Sequence, residues 1–229
     1  MLGQYATVKP LDAAAHGDVL YEESSGCDRD NLWLYLWEGP FPDRASFNEN
    51  LKAKAESLDS LYIFAIIEYK TGLALGHAAY LRIEPVHRVI EVGAILYTPK
   101  LQRTAAGTEA VYLIAKHAFE NFGYRRYEWK CNSLNARSRA AASRFGFTFE
   151  EVFRRYMVIK AEIATRHGSP CWMVSGLRGR RRLKGGSMRR ISTPKGARRS
   201  GFQCAQLSPR PVHTRTHIPT ADILKGWRN

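Results

Sequence analysis

The sequence predicts an α/β or α+β domain over residues 1–160, with helices layered around one sheet. Three observations carry this. Apolar strands meander through the first half, as in "LYIFAIIEYKTGLALGHAAYLRIEP". From Thr104 onward helix-like and strand-like segments alternate. Charge is balanced over this stretch and lopsided after it. The chain carries 35 Lys+Arg against 21 Asp+Glu, a net charge of +14, and residues 161–229 hold 15 of the former but 2 of the latter. The first 160 residues are left at +1, so the charge describes a basic tail and not a basic domain.

The elements follow in order. "YATVKPLD" reads as a short strand entering a turn, and "AAAHGDVLYEESS" as a helix. An aromatic turn around "EGPFPD" leads to a helix that Asp43 caps, with Phe47 and Leu51 four apart on one face. A hairpin turns at "KTG". "HRVIEVGAILYTP" is a strand whose mid-strand Gly93 signals a bulge or the close approach of another group. "TAAGTEAVYLIAKHAFENFG" is a helix that Gly123 ends. "YRRYEWKCN" is a strand, "NARSRAAASRFGF" a helix closed by Gly146, and "FTFEEVFRRYMVIK" a final strand of the domain. No internal repeat is present.

Several function classes are disfavoured. The longest apolar run, about Leu61–Ile67, is far short of the roughly 20 residues of a membrane span. The N-terminal residues lack the basic-then-apolar order of a secretory signal. Cys27, Cys131, Cys171 and Cys204 show no CxxC spacing. The expectation is a reduced, cytoplasmic protein without metal, disulfides or membrane contact, as monomer or homodimer.

Chemistry concentrates in "EVGAILYTPKLQRTAAGTEAVYLIAKHAFE". A strand runs into a loop of small residues, and a helix starts at once. Such a junction presents unpaired amides where phosphate binds. The same pattern is also compatible with a turn built only for packing.

The sequence here resembles the GNAT N-acetyltransferases, in the branch of ribosomal-protein N-terminal acetyltransferases. The resemblance covers residues of about 5–160 and rests on four features. Gln102 and Gly107 match the Gln/Arg-x-x-Gly-x-Gly/Ala signature, with Ala105 departing from its first glycine. "TEA" at Thr108–Ala110 opens the helix. "CNSLNARSRAAASRFGF" matches the branch at Asn135, Ser138, Gly146 and Phe147. "YLRIEPVHRVIEVG" leads into the signature strand.

The resemblance implies a mixed, mostly antiparallel twisted sheet, the acyl-CoA N-acyltransferase fold, with acetyl-CoA as co-substrate and no metal. Gly93, Ala94, Ile95 and Leu96 would pair with the pantetheine arm. Gln102, Arg103, Thr104, Ala105, Ala106, Gly107 and Thr108 would hold the pyrophosphate, and Asn135 would reach the cofactor. The implied chemistry is direct attack of a primary amine, protein N-terminal or small-molecule, on a thioester. The amine must lose a proton, and the thioester oxygen must be stabilised as charge builds. The tyrosine that many members place four residues before the Gly-Phe turn is replaced by Ala142. Ser138 becomes the candidate acid and Glu91 the candidate base, directly or through water. Tyr156 is a weaker candidate. His77 and His87 read as structural or exposed. Trp33, Tyr35, Trp37 and Phe41 read as core packing or as a wall of the acceptor site.

After Lys160 the family sends one more strand back, commonly close to "GRNRDTAWFSMLD". The sequence does not show it, so the final strand is expected to be missing, with Glu150–Lys160 left as a sheet edge. Back-translation suggests why. Restoring one G after the Lys160 codon permits a reading "GGNRDTAWFSMLDGEWLAGKKAFEGWLDA". Most of those letters depend on codon choice, but one segment is forced: Cys171-Trp172-Met173-Val174 shifts to Leu-Asp-Gly with any codons. Residues 161–229 are therefore expected to be an out-of-frame, disordered basic tail. The rival reading is a genuine basic arm that binds nucleic acid, for which "RGRRRLK" would serve; otherwise that charge contacts polyanions only non-specifically. The two alternatives to an active N-acetyltransferase are a catalytically impaired acyl-CoA-binding protein and a nucleic-acid-associated protein acting through the tail.

Overall fold

A computed structural model of the chain describes residues 1–57, 61–154 and 171–178. In chain order the elements are β1 (Ala6–Pro10), α1 (Ala13–Ser24), α2 (Arg29–Trp33), α3 (Arg44–Glu56), β2 (Leu61–Glu68), β3 (Ala74–Glu84), β4 (Val89–Tyr97), α4 (Ala105–Lys116) with a π-helical turn at His117–Asn121, β5 (Arg126–Asn132), α5 (Ala136–Arg144), β6 (Thr148–Arg154) and β7 (Cys171–Arg178). The strands form one mixed sheet in the order β1-β2-β3-β4-β5-β7-β6. Among the described strands, only β4 and β5 run parallel.

Local chemistry explains the boundaries. Asp12 and Asp43 cap α1 and α3, each taking backbone amides of the first turn on its carboxylate. Gly123 and Gly146 adopt φ of +70° and +87° after α4's π-helical turn and after α5, a conformation that costs a glycine little. The sheet buries both faces. Phe64, Tyr80, Ile90 and Tyr127 pack under α4, while Leu20, Phe47, Leu51 and Leu81 form a second core under α1 and α3. Each such side chain contributes roughly 1.5–3 kcal/mol by leaving water.

The motif residue Glu109 has a structural task. Its buried carboxylate accepts hydrogen bonds from the amides of Gln4 (2.9 Å), Tyr5 (2.6 Å) and Ala6 (2.8 Å), which ties the N-terminal segment to α4.

One expectation is corrected. A strand does return: Cys171–Arg178 lies between β5 and β6, antiparallel to both, with Asn132 opposite Trp172 and Phe153 opposite Trp172 on the other side. The outer edge of β5 carries open backbone donors and acceptors, and pairing there needs only a proline-free extended segment. "CWMVSGLR" meets that demand whatever its origin. Gly176 is suited to its place, because a Cβ there would stand 2.5 Å from Glu150 and 2.8 Å from Arg126. Those two side chains form an ion pair across it. The strand β6 remains at the sheet's edge, and most of its residues are exposed. The expected tail otherwise falls at 161–170 and 179–229, outside the described residues, as does Tyr156. Among the described residues, no helix is long and apolar enough to cross a membrane.

Candidate active site

The parallel pair β4–β5 is registered only from Val89 opposite Arg126 to Val92 opposite Trp129. Beyond Val92 the two strands part. β4 continues through Gly93, Ala94 and Ile95, and β5 through Lys130, Cys131 and Asn132; all six line one cavity between them. Ser138 and Asn135 on and before α5 close one side. Trp33, Tyr35, Trp37, Glu38 and Lys54 also line the cavity, and the Tyr35 hydroxyl donates to the Leu134 carbonyl, beside Asn135, at 3.3 Å.

A β-bulge marks the parting. Against β3, His77 faces Leu96 and Ala79 faces Gly93, so two steps on β3 span three on β4. Ala94 absorbs the extra residue with φ +46°, a left-handed conformation uncommon outside glycine. The mid-strand glycine pointed to this feature from the sequence alone. At Gly93 itself a Cβ would stand 2.5 Å from Leu81 Cδ1.

His77, read from sequence as structural or exposed, is 2% exposed and lines this cavity. Its Nδ1 lies 2.9 Å from the Ala94 carbonyl oxygen. A carbonyl only accepts, so Nδ1 carries the proton and Nε2 is a bare lone pair. Nε2 is buried with no partner among the described groups. Leaving such an acceptor unpaired costs roughly 1–3 kcal/mol. Burial, aided by the nearby Lys54 charge, pushes the imidazole pKa down to about 3.

Glu91 is 3% exposed and held by cations from two other strands. Arg82 Nη1 and Lys130 Nζ both donate to its Oε2, the latter at 2.8 Å. Lys130 also pairs with Glu128, and Arg126 joins Glu128 to Glu150. Alternating charges thus run across the sheet from β3 to β6. Burial works against the charged form of Lys130, but Glu91 and Glu128 outweigh it and its pKa rises. The second carboxylate oxygen, Oε1, lies on the Gly93 side, 3.5 Å from the Cβ that Gly93 lacks.

Ser138 Oγ accepts the indole N–H of Trp129 at 2.9 Å, which leaves its own hydrogen to donate elsewhere. The Cys131 thiol is its neighbour and is pushed up in pKa, by burial first. Asn135 Oδ1 is committed to capping α5, accepting from Ser138 N at 3.0 Å. Tyr35 and Trp37 line the cavity. Phe41 instead packs edge-on to Trp33 at 5.3 Å, behind the wall.

The loop before α4 lies at the end of β4. Thr104 Oγ1 accepts from the Gly107 amide at 3.0 Å and donates to the Leu101 carbonyl at 2.7 Å. Gly107 is therefore fixed by packing: a Cβ would meet the Leu101 carbonyl at 2.7 Å, and Tyr97 Oη donates to the Gly107 carbonyl at 2.7 Å. Gln102 is turned inward, with Nε2 donating to the Tyr97 carbonyl. Thr108 Oγ1 donates to the Thr104 carbonyl. The cap leaves the amides of Arg103, Thr104, Ala105 and Ala106 without an acceptor among the described residues. Open amides at the start of a helix are donors of the kind that bind an anion.

Sequence reasoning did not single out Arg82, Lys130, Trp129, Cys131 or Lys54. Arg82 and Lys130 meet Glu91 across strands, Trp129 meets Ser138 from strand to helix, and Lys54 comes from α3; periodicity encodes none of these contacts.

Comparison with known proteins accords with this geometry. Residues 8–148 match the family model for the acetyltransferase (GNAT) domain. The structure is similar to a GCN5-related N-acetyltransferase from Brucella melitensis, at 37% identity and a TM-score of 0.72, over 77% of each chain. It is similar to a probable acetyltransferase of the GNAT family from Chromobacterium violaceum ATCC 12472, at 35% identity and a TM-score of 0.69, over 77% of this chain and 84% of that one. A likeness of fold extends to the acetyl transferase from Salmonella typhimurium that modifies the N-terminal serine of a 50S ribosomal subunit protein. There identity is 14% and the TM-score 0.64, over 78% of this chain and 97% of that one. No curated protein matches the chain.

Proposed function

The chain belongs to the acetyltransferase (GNAT) family, and on that premise we propose that it transfers an acetyl group from acetyl-CoA to a primary amine. The observation that carries the reading is the parting of β4 from β5 at Gly93, with Ser138 and Glu91 on opposite banks of the opening. The amides of Arg103–Ala106 would hold the diphosphate, and the open backbone of Gly93–Leu96 would pair with the pantetheine arm. Acetyl-CoA supplies the thioester carbonyl on which the amine acts.

The protein's own groups then have distinct tasks. Glu91 Oε1 takes a proton from the incoming ammonium, directly or through water, while Arg82 and Lys130 hold Oε2 in place. A backbone N–H at the bulge stabilises developing negative charge on the carbonyl oxygen. The Ser138 hydroxyl passes its hydrogen to the leaving thiolate and regains one from the nitrogen as the amide forms, its oxygen steadied by the Trp129 indole. The Trp33–Glu38 segment bounds the acceptor, which is a protein N-terminus or a small amine; two aromatic side chains at the rim suit either.

A thiol-release assay with acetyl-CoA and a panel of peptide N-termini and small amines tests this. Release with at least one amine is expected. Calorimetric binding of acetyl-CoA without release would favour the acyl-CoA-binding alternative, to which Ala142 in place of the family tyrosine lends weight. Neither binding nor release would sink both.

A further inference from the structure

We propose that His77 is a positioning residue for acyl transfer: its Nδ1–H holds the Ala94 carbonyl and so fixes the bulge at which β4 parts from β5. The inference rests on the reading above, in which the acyl end of the cofactor lies along that bulge. The extra residue leaves Ala94 outside the β3–β4 register, where a ladder partner would otherwise take its carbonyl. Ala94 also sits in a left-handed conformation without being glycine, so something must hold it there. The imidazole, opposite Leu96 on the adjoining strand, reaches that carbonyl at 2.9 Å.

The rest of the ring's surroundings argue for a purpose other than packing. Its neighbours in the core are apolar, Ala65, Ala79, Leu81 and Leu96, and Lys54 is a charged group nearby. A leucine would suit that company and leave no stranded nitrogen. The buried, unpartnered Nε2 is tolerated because Nδ1 is needed. The ring is not itself the base. Nδ1 is committed to the Ala94 carbonyl, and the lone pair on Nε2 is buried away from any partner among the described groups.

Three variants separate the roles. Asn at 77 keeps a donor at the Nδ1 position, Gln moves the donor to the Nε2 position, and Leu removes it. In the free wild-type protein, long-range 1H–15N spectra should show Nδ1 protonated and Nε2 bare from about pH 5 to 9. Acetyl-CoA affinity by calorimetry should weaken about tenfold or more in His77→Leu and His77→Gln, and stay within about threefold of wild type in His77→Asn. Exchange of the Gly93–Leu96 amides should quicken about tenfold in the first two only. A proton on Nε2, unchanged affinity and exchange in His77→Leu, or equal losses in all three variants would overturn the proposal. If His77→Leu does not fold, His77→Gln carries the comparison. If wild type binds no acetyl-CoA, the functional reading fails, and the exchange data alone then uphold or overturn the role of His77 at the bulge.

Discussion

The mouth of α4 and the bulge of β4 are adjoining ends of one proposed cofactor path, and they are built on opposite terms. At the mouth the chain satisfies most of itself. Thr104 caps, Gly107 fits under the Leu101 carbonyl, and Gln102 folds back on Tyr97. Four amides are left without an acceptor among the described residues. Each end holds a left-handed residue that is not glycine, Arg103 (φ +61°) at the mouth and Ala94 (φ +46°) at the bulge, but the bulge adds buried polar groups: a neutral histidine with a stranded nitrogen and a carboxylate gripped by two cations. A fixed anion needs only amides, whereas a reacting centre needs groups held away from their own preferences. The same kind of substitution should therefore cost more at the bulge than at the mouth.

The largest expected effect is at Glu91. Glu91→Ala takes a carboxylate partner from the buried Lys130 and from the half-buried Arg82, although Lys130 keeps Glu128. Chemical denaturation should report a loss of about 3 kcal/mol, the low end for breaking a buried pair. A loss below about 1 kcal/mol would show that the charge ladder is only a solvated surface. The next effect is acid sensitivity from His77. Its folded pKa of about 3 lies below the ordinary 6.5, because burial disfavours the charged ring. The unfolded chain gains a proton as pH falls through 6.5 and the folded protein does not, so stability present above that pH is lost on acidification. Between about pH 7.5 and 5 this group should cost about 2 kcal/mol. His77→Asn should lack that increment, while the depressed His16 and His117 act in both proteins and cancel. Identical pH profiles for the two proteins would break the account of the bulge. The smallest effect belongs to the mouth: Thr104→Ala removes the α4 cap and should cost about 1 kcal/mol in the same denaturation experiment. A cost above that of Glu91→Ala would reverse the comparison.

Much of this was legible in the sequence, for identifiable reasons. Caps and C-terminal glycines are local, so Asp43, Gly123 and Gly146 could be placed from neighbours alone. Gly93 announced the bulge because a glycine inside a strand is costly without cause. The small-residue loop announced the mouth, although Gly107 turns out to be there for Leu101 and Tyr97. What could not be read was contact across strands. His77 meets Ala94 and Glu91 meets Arg82 and Lys130 at separations set by register, while Glu109 on α4 meets the amides of Gln4, Tyr5 and Ala6 through the docking of helix on sheet. The returning strand was missed for another reason: "CWMVSGLR" lies in a basic stretch without periodicity, yet its backbone suffices to fill the slot beside β5. On the out-of-frame proposal for residues from about 161, the frame-restored chain should melt higher and turn over faster. Equal behaviour of the two chains, or a transcript that reads uninterrupted through the Lys160 codon, would count against it.

The central claim is that one coenzyme spans both regions, and a crystal structure of the complex with coenzyme A tests it most directly. The diphosphate is predicted within hydrogen-bond reach of the Arg103–Ala106 amides, with the pantetheine arm along Gly93–Leu96. A coenzyme bound anywhere else on the chain would contradict the account.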